Sequence, residues 1–254
     1  MTQTSNTVRF VLDGTVVEVG NQHFNTTVLD YLREQLHRTG TKEGCAEGDC
    51  GACVVLIGEL NTDGTAIAYA SVNSCLQLLP TLDGKSVKTV ESLQRANGEL
   101  HPVQQAMAES HGTQCGFCTP GIVMSLTGLL QTVSHPTRTQ INDALSGNLC
   151  RCTGYKPIID ATLKACEAPA EQIRLDDKAD LKLLQQLRQA SEQAAVLRSD
   201  QGKTFFAPTS VAALADYLLQ HPQATLLAGS TEIGLQVNKN LVHPQDLVYL
   251  GHVS

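Results

Sequence analysis

Eight of the nine cysteines fall into two sets of four: Cys45, Cys50, Cys53 and Cys75, then Cys115, Cys118, Cys150 and Cys152. The first set has the spacing Cys45-x4-Cys50-x2-Cys53 with Cys75 further along, which is that of plant-type [2Fe–2S] centres. Each iron of such a centre needs a tetrahedron of sulfur, and bridging sulfides supply half of it. The protein must therefore present four thiolates around a compact rhomb. Three can come from one loop only if its backbone folds tightly, and Gly44, Gly48 and Gly51 permit that. Zinc also takes four cysteines, but mostly from two CxxC knuckles, and Cys75 has no such partner. The second set pairs Cys115-x2-Cys118 with Cys150-x-Cys152. CxxC alone also reads as zinc or a redox dithiol. A CxC pair is strained as a disulfide and atypical for zinc. Together, and beside a plant-type motif, the two point to a second iron–sulfur cluster. Cys166, left over on an apolar helical pattern, reads as a buried hydrophobe. The eight His show no ligand spacing.

Composition suits this chemistry. The 254 residues allow two domains and the start of a third. Hydrophobic residues make up 42%, with no Trp, so the cores must be mostly aliphatic. A net charge of -7 argues against a nucleic-acid partner. No apolar run approaches the roughly 20 residues of a membrane span, and the polar N-terminus lacks a signal sequence. A soluble, cytoplasmic protein is expected, where reduced thiols more often bind metal than form disulfides.

The elements that must position the thiols follow from pattern. VRFVL and TVVEV, joined at Asp13-Gly14, predict a β-hairpin. Thr26 or Thr27 can cap a helix carrying Leu29, Leu32 and Leu36. A glycine-dense loop from Glu43 to Cys53 precedes the strand VVLIGEL, with further strands near Ala66–Ala70 and Val87–Val90. Residues 1–90 are thus an α+β domain. Pro102, Pro120 and Pro157 stand where helices begin, Thr119 can cap the second of these, and Thr137 with Gln140 makes a capping box. Residues 91–167 are expected to hold four helices. CGFC and CRC each sit just before a helix, where unpaired N–H groups suit an anionic cluster. Residues 168–203 read as a charged linker with one amphipathic helix, capped by Asp180 and carrying Leu181, Leu184 and Leu187. Residues 204–254 read as helix, strand, glycine turn and helix, the opening of an α/β domain.

TKEGCAEGDCGAC (41–53), QCGFCTPGIVMSL (114–126) and NLCRCTGYKPIIDA (148–161) closely resemble the iron–sulfur portion of the molybdenum hydroxylases, a family of xanthine dehydrogenases, aldehyde oxidoreductases and carbon monoxide dehydrogenases. The resemblance covers about residues 7 to 167, and FFAPTSVAALADYLLQHPQATLLAGSTEIGLQVNK (205–239) is similar to the start of the family's flavin domain. It implies a β-grasp ferredoxin-like domain, a four-helix [2Fe–2S] domain, and the N-terminal part of an FAD-binding domain of the vanillyl-alcohol-oxidase type. It also implies electron flow from molybdopterin on a large partner subunit, through the helical-domain cluster and then the ferredoxin-like one, to FAD and NAD. By the same resemblance Gly229, Ser230, Thr231 and Glu232 would meet the FAD pyrophosphate, and Gln114 and Cys152 would lie against the pterin. No catalytic residue is expected in this chain. Clusters and flavin segment in one chain resemble the bacterial xanthine dehydrogenases, which oxidise hypoxanthine and xanthine. An aldehyde or aromatic-heterocycle oxidoreductase is the alternative within the family, and a free-standing electron carrier or inactive remnant the one outside it.

Three positions depart from the family pattern: Val54 where Thr commonly follows CGAC, and Ser230 and Glu232 in AGSTE where AGGTD or AGATD is usual. The family's second glycine-rich stretch has no counterpart before Ser254. The flavin domain is therefore expected to be truncated and not to hold FAD tightly or reduce NAD in this chain alone. An apolar face of Leu226, Leu227, Ile233, Leu235 and Val248 is expected to lack a partner layer within the segment, leaving it loose, or packed against the rest of the chain or a neighbour.

Overall fold

Alternation and turn chemistry account for the first elements. The computed structural model describes residues 3–4, 7–20, 23–95, 97–190, 195–198, 202–242 and 244–253. A two-residue strand, β1 (Gln3–Thr4), precedes the hairpin of β2 (Thr7–Leu12) and β3 (Thr15–Gly20). Asp13 and Gly14 both take left-handed backbone, φ 50° and 73°, as a two-residue hairpin turn of this hand requires. The Thr27 hydroxyl accepts from the Asp30 N–H at 3.1 Å. It opens α1 (Val28–Asp30), which runs on into a π-helical stretch, Tyr31–Gln35. β4 (Val54–Leu60) and β5 (Ile67–Asn73) make a second hairpin, and β6 (Ser86–Lys88) lies between β2 and β4. β6 runs parallel to β2 and antiparallel to β4, which completes the β-grasp arrangement.

β4 explains why VVLI is continuous rather than alternating. Successive strand residues face opposite ways, and here both faces are covered. Val55 and Ile57 enter the core of Phe10, Leu32 and Leu82, while Val54 and Leu56 enter the core of the helical domain.

That domain is built from α2 (Pro102–Glu109), α3 (Thr119–Thr132), α4 (Arg138–Ala144) and α5 (Lys156–Ala165). Pro102 opens α2, whereas Pro120 and Pro157 are the second residues of their helices, and Cys118 rather than Thr119 takes the cap position of α3. The N–H of a second helical residue has no intrahelical partner either, so proline costs equally little there. Thr137 and Gln140 form the expected capping box.

The linker is more structured than its composition suggests. It holds α6 (Ala170–Ile173), α7 (Lys178–Ala190) and a strand, β7 (Ala195–Arg198). Asp180 lies inside the first turn of α7 instead of capping it. Its carboxylate is buried, 2.9 Å from Lys88 Nζ. It accepts from the Ser86 hydroxyl at 2.6 Å and the Gly14 N–H at 2.8 Å. Leu184 and Leu187 pack on Val11 beside it.

β8 (Thr204–Ala207), α8 (Val211–Gln220), β9 (Thr225–Leu227), α9 (Ile233–Asn238) and β10 (Asp246–Tyr249) follow. Their sheet has the order β1-β7-β8-β10-β9, so β1 joins this sheet and not the ferredoxin-like one. Of the expected alternatives, the segment is packed against the rest of the chain. Leu227 and Val248 are fully buried, Ile233 and Leu235 half-buried, and only Leu226 stays exposed. Phe205, Leu227, Val237, Leu247 and Tyr249 share one core with Phe10 and Leu82, because this sheet packs directly on the ferredoxin-like domain. Among the described residues no helix is long and apolar enough to cross a membrane.

Candidate iron–sulfur sites

The loop carrying Cys45, Cys50 and Cys53 is closed by backbone geometry that few residues other than glycine adopt easily. Ala46, Gly48 and Gly51 all have positive φ, 55°, 84° and 68°. A run of this kind turns amide N–H groups toward one side, where anions bind. The N–H groups of Glu47 and Cys50 accordingly point at Cys45 Sγ, each at 3.4 Å. A Cβ at Gly48 would come within 2.4 Å of Leu76 Cδ1. Cys75 stands in the turn after β5. Asn73 at the end of β5 donates to the Gly48 carbonyl at 2.7 Å, and the Ser74 hydroxyl donates to the Cys53 carbonyl at 2.7 Å. These two bonds hold the fourth thiol's segment on the other three.

The thiols meet as pairs. Cys53 is hydrogen-bonded with Cys75, which pulls Cys53 down to about 7 and pushes Cys75 up. Cys45 pairs with Cys50; burial works against ionisation of Cys45, but N–H groups of Glu47, Cys50 and Asp49 outweigh it and lower its pKa. In the second set, burial and then Cys150 push Cys118 up to about 12. Cys150 itself is lowered: burial opposes, and hydrogen bonds from Thr153 prevail. Cys152 is raised chiefly by its hydrogen bond with Cys115. Among the described residues no three His, Cys, Asp or Glu side chains converge on a single ion. Two pairs per set are the donor arrangement for two irons with two thiolates each, so the residues present fit a [2Fe–2S] group at both places.

The second set sits at the mouths of two helices. Cys118 caps α3, and the CRC turn leads through Thr153 and Gly154 into α5. Tyr155, in left-handed backbone at φ 67°, sends its hydroxyl back over the turn. It accepts from the Cys150 N–H at 2.8 Å and donates to the Asn148 carbonyl at 3.3 Å. Cys115 and Cys152 are exposed, while Cys118 and Cys150 are half-buried. Exposed Gln114 donates to the Cys152 carbonyl at 3.1 Å. Cys166 lies apart from both sets, its thiol on the Thr162 carbonyl of its own helix.

The two sets are joined. The Leu149 N–H donates to the Cys50 carbonyl at 2.9 Å, and Asn148 Nδ2 donates to the Gly51 carbonyl at 3.0 Å. A Cβ on Gly51 would fall 2.2 Å from the Gly147 carbonyl, and one on Gly121 would fall 2.0 Å from the Gly51 carbonyl. Glycine at both positions thus lets the helical domain press against the cluster loop. Asn73, Asn148 and Tyr155 were not singled out by sequence reasoning. Their only signal was nearness to cysteines, within NSC, NLC and CTGY.

The turn Gly229–Glu232 joins β9 to α9. Ser230 is left-handed, φ 62°, and its buried hydroxyl donates to the Leu76 carbonyl at 2.6 Å. Gln77 Nε2 donates to the Gly229 carbonyl at 3.1 Å. Thr231 and Glu232 are exposed.

Residues 10–78 match the 2Fe-2S iron-sulfur cluster binding domain, residues 89–163 the [2Fe-2S] binding domain, and residues 199–254 the FAD binding domain in molybdopterin dehydrogenase. A β-grasp domain, a four-helix domain and this segment define an iron–sulfur flavoprotein chain with two [2Fe–2S] domains and an FAD-binding domain. Quinoline 2-oxidoreductase from Pseudomonas putida 86 is a structural relative at 34% identity and a TM-score of 0.53, covering 71% of this chain and 96% of that one. Aldehyde oxidase 1 of Bos taurus is 35% identical over 92% of this chain and 20% of its own. Xanthine dehydrogenase of Calliphora vicina is 34% identical over 95% and 20%. The chain belongs to the molybdenum hydroxylase family, within its iron–sulfur and FAD region, and spans about a fifth of the length of these two curated relatives.

Proposed function

We propose that this chain conducts electrons from a molybdopterin centre on a partner chain toward FAD and NAD. Cys115, Cys118, Cys150 and Cys152 would hold the cluster that receives them, and Cys45, Cys50, Cys53 and Cys75 the cluster that passes them on. When bound, each cluster supplies a one-electron carrier. The residues of this chain place the carriers, exclude wrong geometries and set their surroundings. The bond from the Leu149 N–H to the Cys50 carbonyl carries the reading. Leu149 adjoins Cys150, so one hydrogen bond completes a chemical link between a thiol of each set. Gln114 and exposed Cys152 mark the face we assign to the pterin-bearing partner, and Gly229, Ser230, Thr231 and Glu232 the turn we assign to FAD. The reduced state that these thiols need suits the cytoplasm.

The substrate reading is NAD-linked oxidation of hypoxanthine and xanthine, supported by clusters and flavin segment in one chain and by similarity to a xanthine dehydrogenase. Comparable identity to an aldehyde oxidase supports an aldehyde as the second reading. The protein purified anaerobically should carry about four iron and four sulfide, two per cluster, with two distinguishable EPR signals on reduction. Stoichiometric zinc in their place would overturn the assignment. Co-expressed with the molybdopterin-binding chain, it should form a stable complex that carries molybdopterin and whose clusters are reduced by hypoxanthine. Turnover of aldehydes alone selects the second reading, and failure to form a complex would favour a free-standing carrier.

A further inference from the structure

The end of α9 lies against both segments that supply the first set of thiols. Asn238 Nδ2 donates to the Ala46 carbonyl at 2.7 Å and to the Cys75 carbonyl at 3.2 Å. Ala46 follows Cys45 in the three-thiol loop, whereas Cys75 is the fourth thiol, so one side-chain amide ties together segments remote in sequence. The next residue, Lys239, donates to the Cys45 carbonyl at 3.2 Å and pairs with Glu47 at 2.9 Å. The helix has little freedom to move away from this position. Ser230 bonds the Leu76 carbonyl, and a Cβ on Gly234 would fall 2.0 Å from that same oxygen. Leu76 is the residue after Cys75. The FAD-binding segment thus grips the backbone at Cys45, Ala46, Cys75 and Leu76.

We propose that Asn238 and Lys239 are positioning residues for the first cluster, Asn238 fixing the spread of its four thiols and Lys239 its charge. The proposal rests on the reading of Cys45, Cys50, Cys53 and Cys75 as ligands. Groups that orient ligands from behind are worth about tenfold or more in metal affinity. Both amide protons of Asn238 meet carbonyls of ligand-bearing backbone, so its loss frees two ligand segments at once. One-electron reduction adds a negative charge to the cluster, and the ammonium of Lys239 on the Cys45 carbonyl favours that state. These contacts all fall on the first set, so their effects are confined to it.

The test uses the full chain, reconstituted anaerobically with ferrous iron and sulfide, and follows both EPR signals through a mediated redox titration and through iron loss to a chelator. Asn238→Ala should speed iron loss from the first cluster about tenfold and change the shape of its signal, with the second cluster's signal as internal control of folding. Lys239→Gln, an exposed change that threatens no core, should lower the first midpoint by an amount that shrinks as salt rises. Lys182→Gln, on the exposed face of α7, should do neither. Both signals present, with the first cluster's shape, midpoint and iron loss unchanged in Asn238→Ala and Lys239→Gln, would overturn the proposal. Equal changes in both clusters would overturn it too, as general destabilisation. A wild-type chain that forms only the second cluster would instead refute the ligand reading and take the proposal with it.

Discussion

Serine in place of Cys45 or Cys150 separates the two sites, because the thiols stand on different domains. Cys45→Ser should abolish the first EPR signal and leave the second, and Cys150→Ser should do the reverse. Cys166→Ala should leave both, since its thiol lies apart from both sets and bonds the Thr162 carbonyl of its own helix. Loss of a signal in Cys166→Ala would mean that the eight ligands are wrongly divided. Gly51→Ala probes the joint between the sets. Its φ of 68° disfavours a side chain, and the new Cβ would collide with the Gly147 carbonyl at 2.2 Å, a backbone atom that cannot swing away. Strain of this kind costs more than the roughly 1 kcal/mol that removing a glycine can gain. Iron content per chain should fall below that of the wild type under identical reconstitution. An alanine variant with full iron and unaltered signals would show that the loop has room that the geometry denies it.

Helix α2 carries a titratable cap. His101 Nδ1 accepts from the Val103 N–H at 3.3 Å, and Nε2 lies 2.9 Å from the Ile173 carbonyl. Both bonds are made at once only by the neutral ring with its proton on Nε2. Burial lowers the His101 pKa, and the nearby Arg95 charge adds to this. For a base held below its ordinary value, the stabilising form is the neutral one. Its contribution is complete above the unfolded value of about 6.5 and is lost as pH falls from there toward the lower folded value. Asn is a good N-cap without a proton to gain in this range. His101→Asn should therefore reduce the loss of thermal stability between pH 7.5 and 5.5, measured by circular dichroism on wild type and variant together. Identical losses would remove His101 from the pH response.

At the scale of the whole molecule, the linker is part of the packing. The Asp180 carboxylate meets Lys88, Ser86 and the turn at Gly14 in a buried position, so α7 is clamped across the ferredoxin-like sheet. Removing Asp180 leaves buried Lys88 with the longer pair to Asp13, at 3.7 Å, so the cost stays below the roughly 3–5 kcal/mol of a fully orphaned buried charge. Asp180→Ala should therefore release α7 and expose the linker to protease, with cutting faster than in wild type at equal protein concentration. Both clusters should still assemble, because among the described residues no hydrogen bond or ion pair joins α7 to either thiol set. Unchanged cutting would show that Leu184 and Leu187 suffice to hold the helix.

Much of this protein was determined by its sequence alone, because the relevant forces are local. The eight thiols, the hairpin turn at Asp13-Gly14, the capping box at Thr137 and Gln140, and the four helices follow from spacing, φ preference and periodicity within short windows. The motifs around the cysteines were long enough to carry the family and its cofactors as well. What the tertiary structure decided lies between segments far apart in the chain. Nothing local to Asp180 shows that its carboxylate is buried on Lys88 instead of capping α7. Nothing in Gln3–Thr4 shows pairing with a strand near residue 195. Leu227 looks uncovered until the ferredoxin-like core is brought against it, and Val248 until Leu214 and Tyr217 of α8 fold over it. The pairing of thiols within each set exists only once its own domain has folded, and the bond from Leu149 to Cys50 and the grip of Asn238 on Ala46 and Cys75 only once the domains are packed on one another. A hydrogen bond between distant residues leaves no period or motif in the sequence, and only the fold supplies the proximity that makes it.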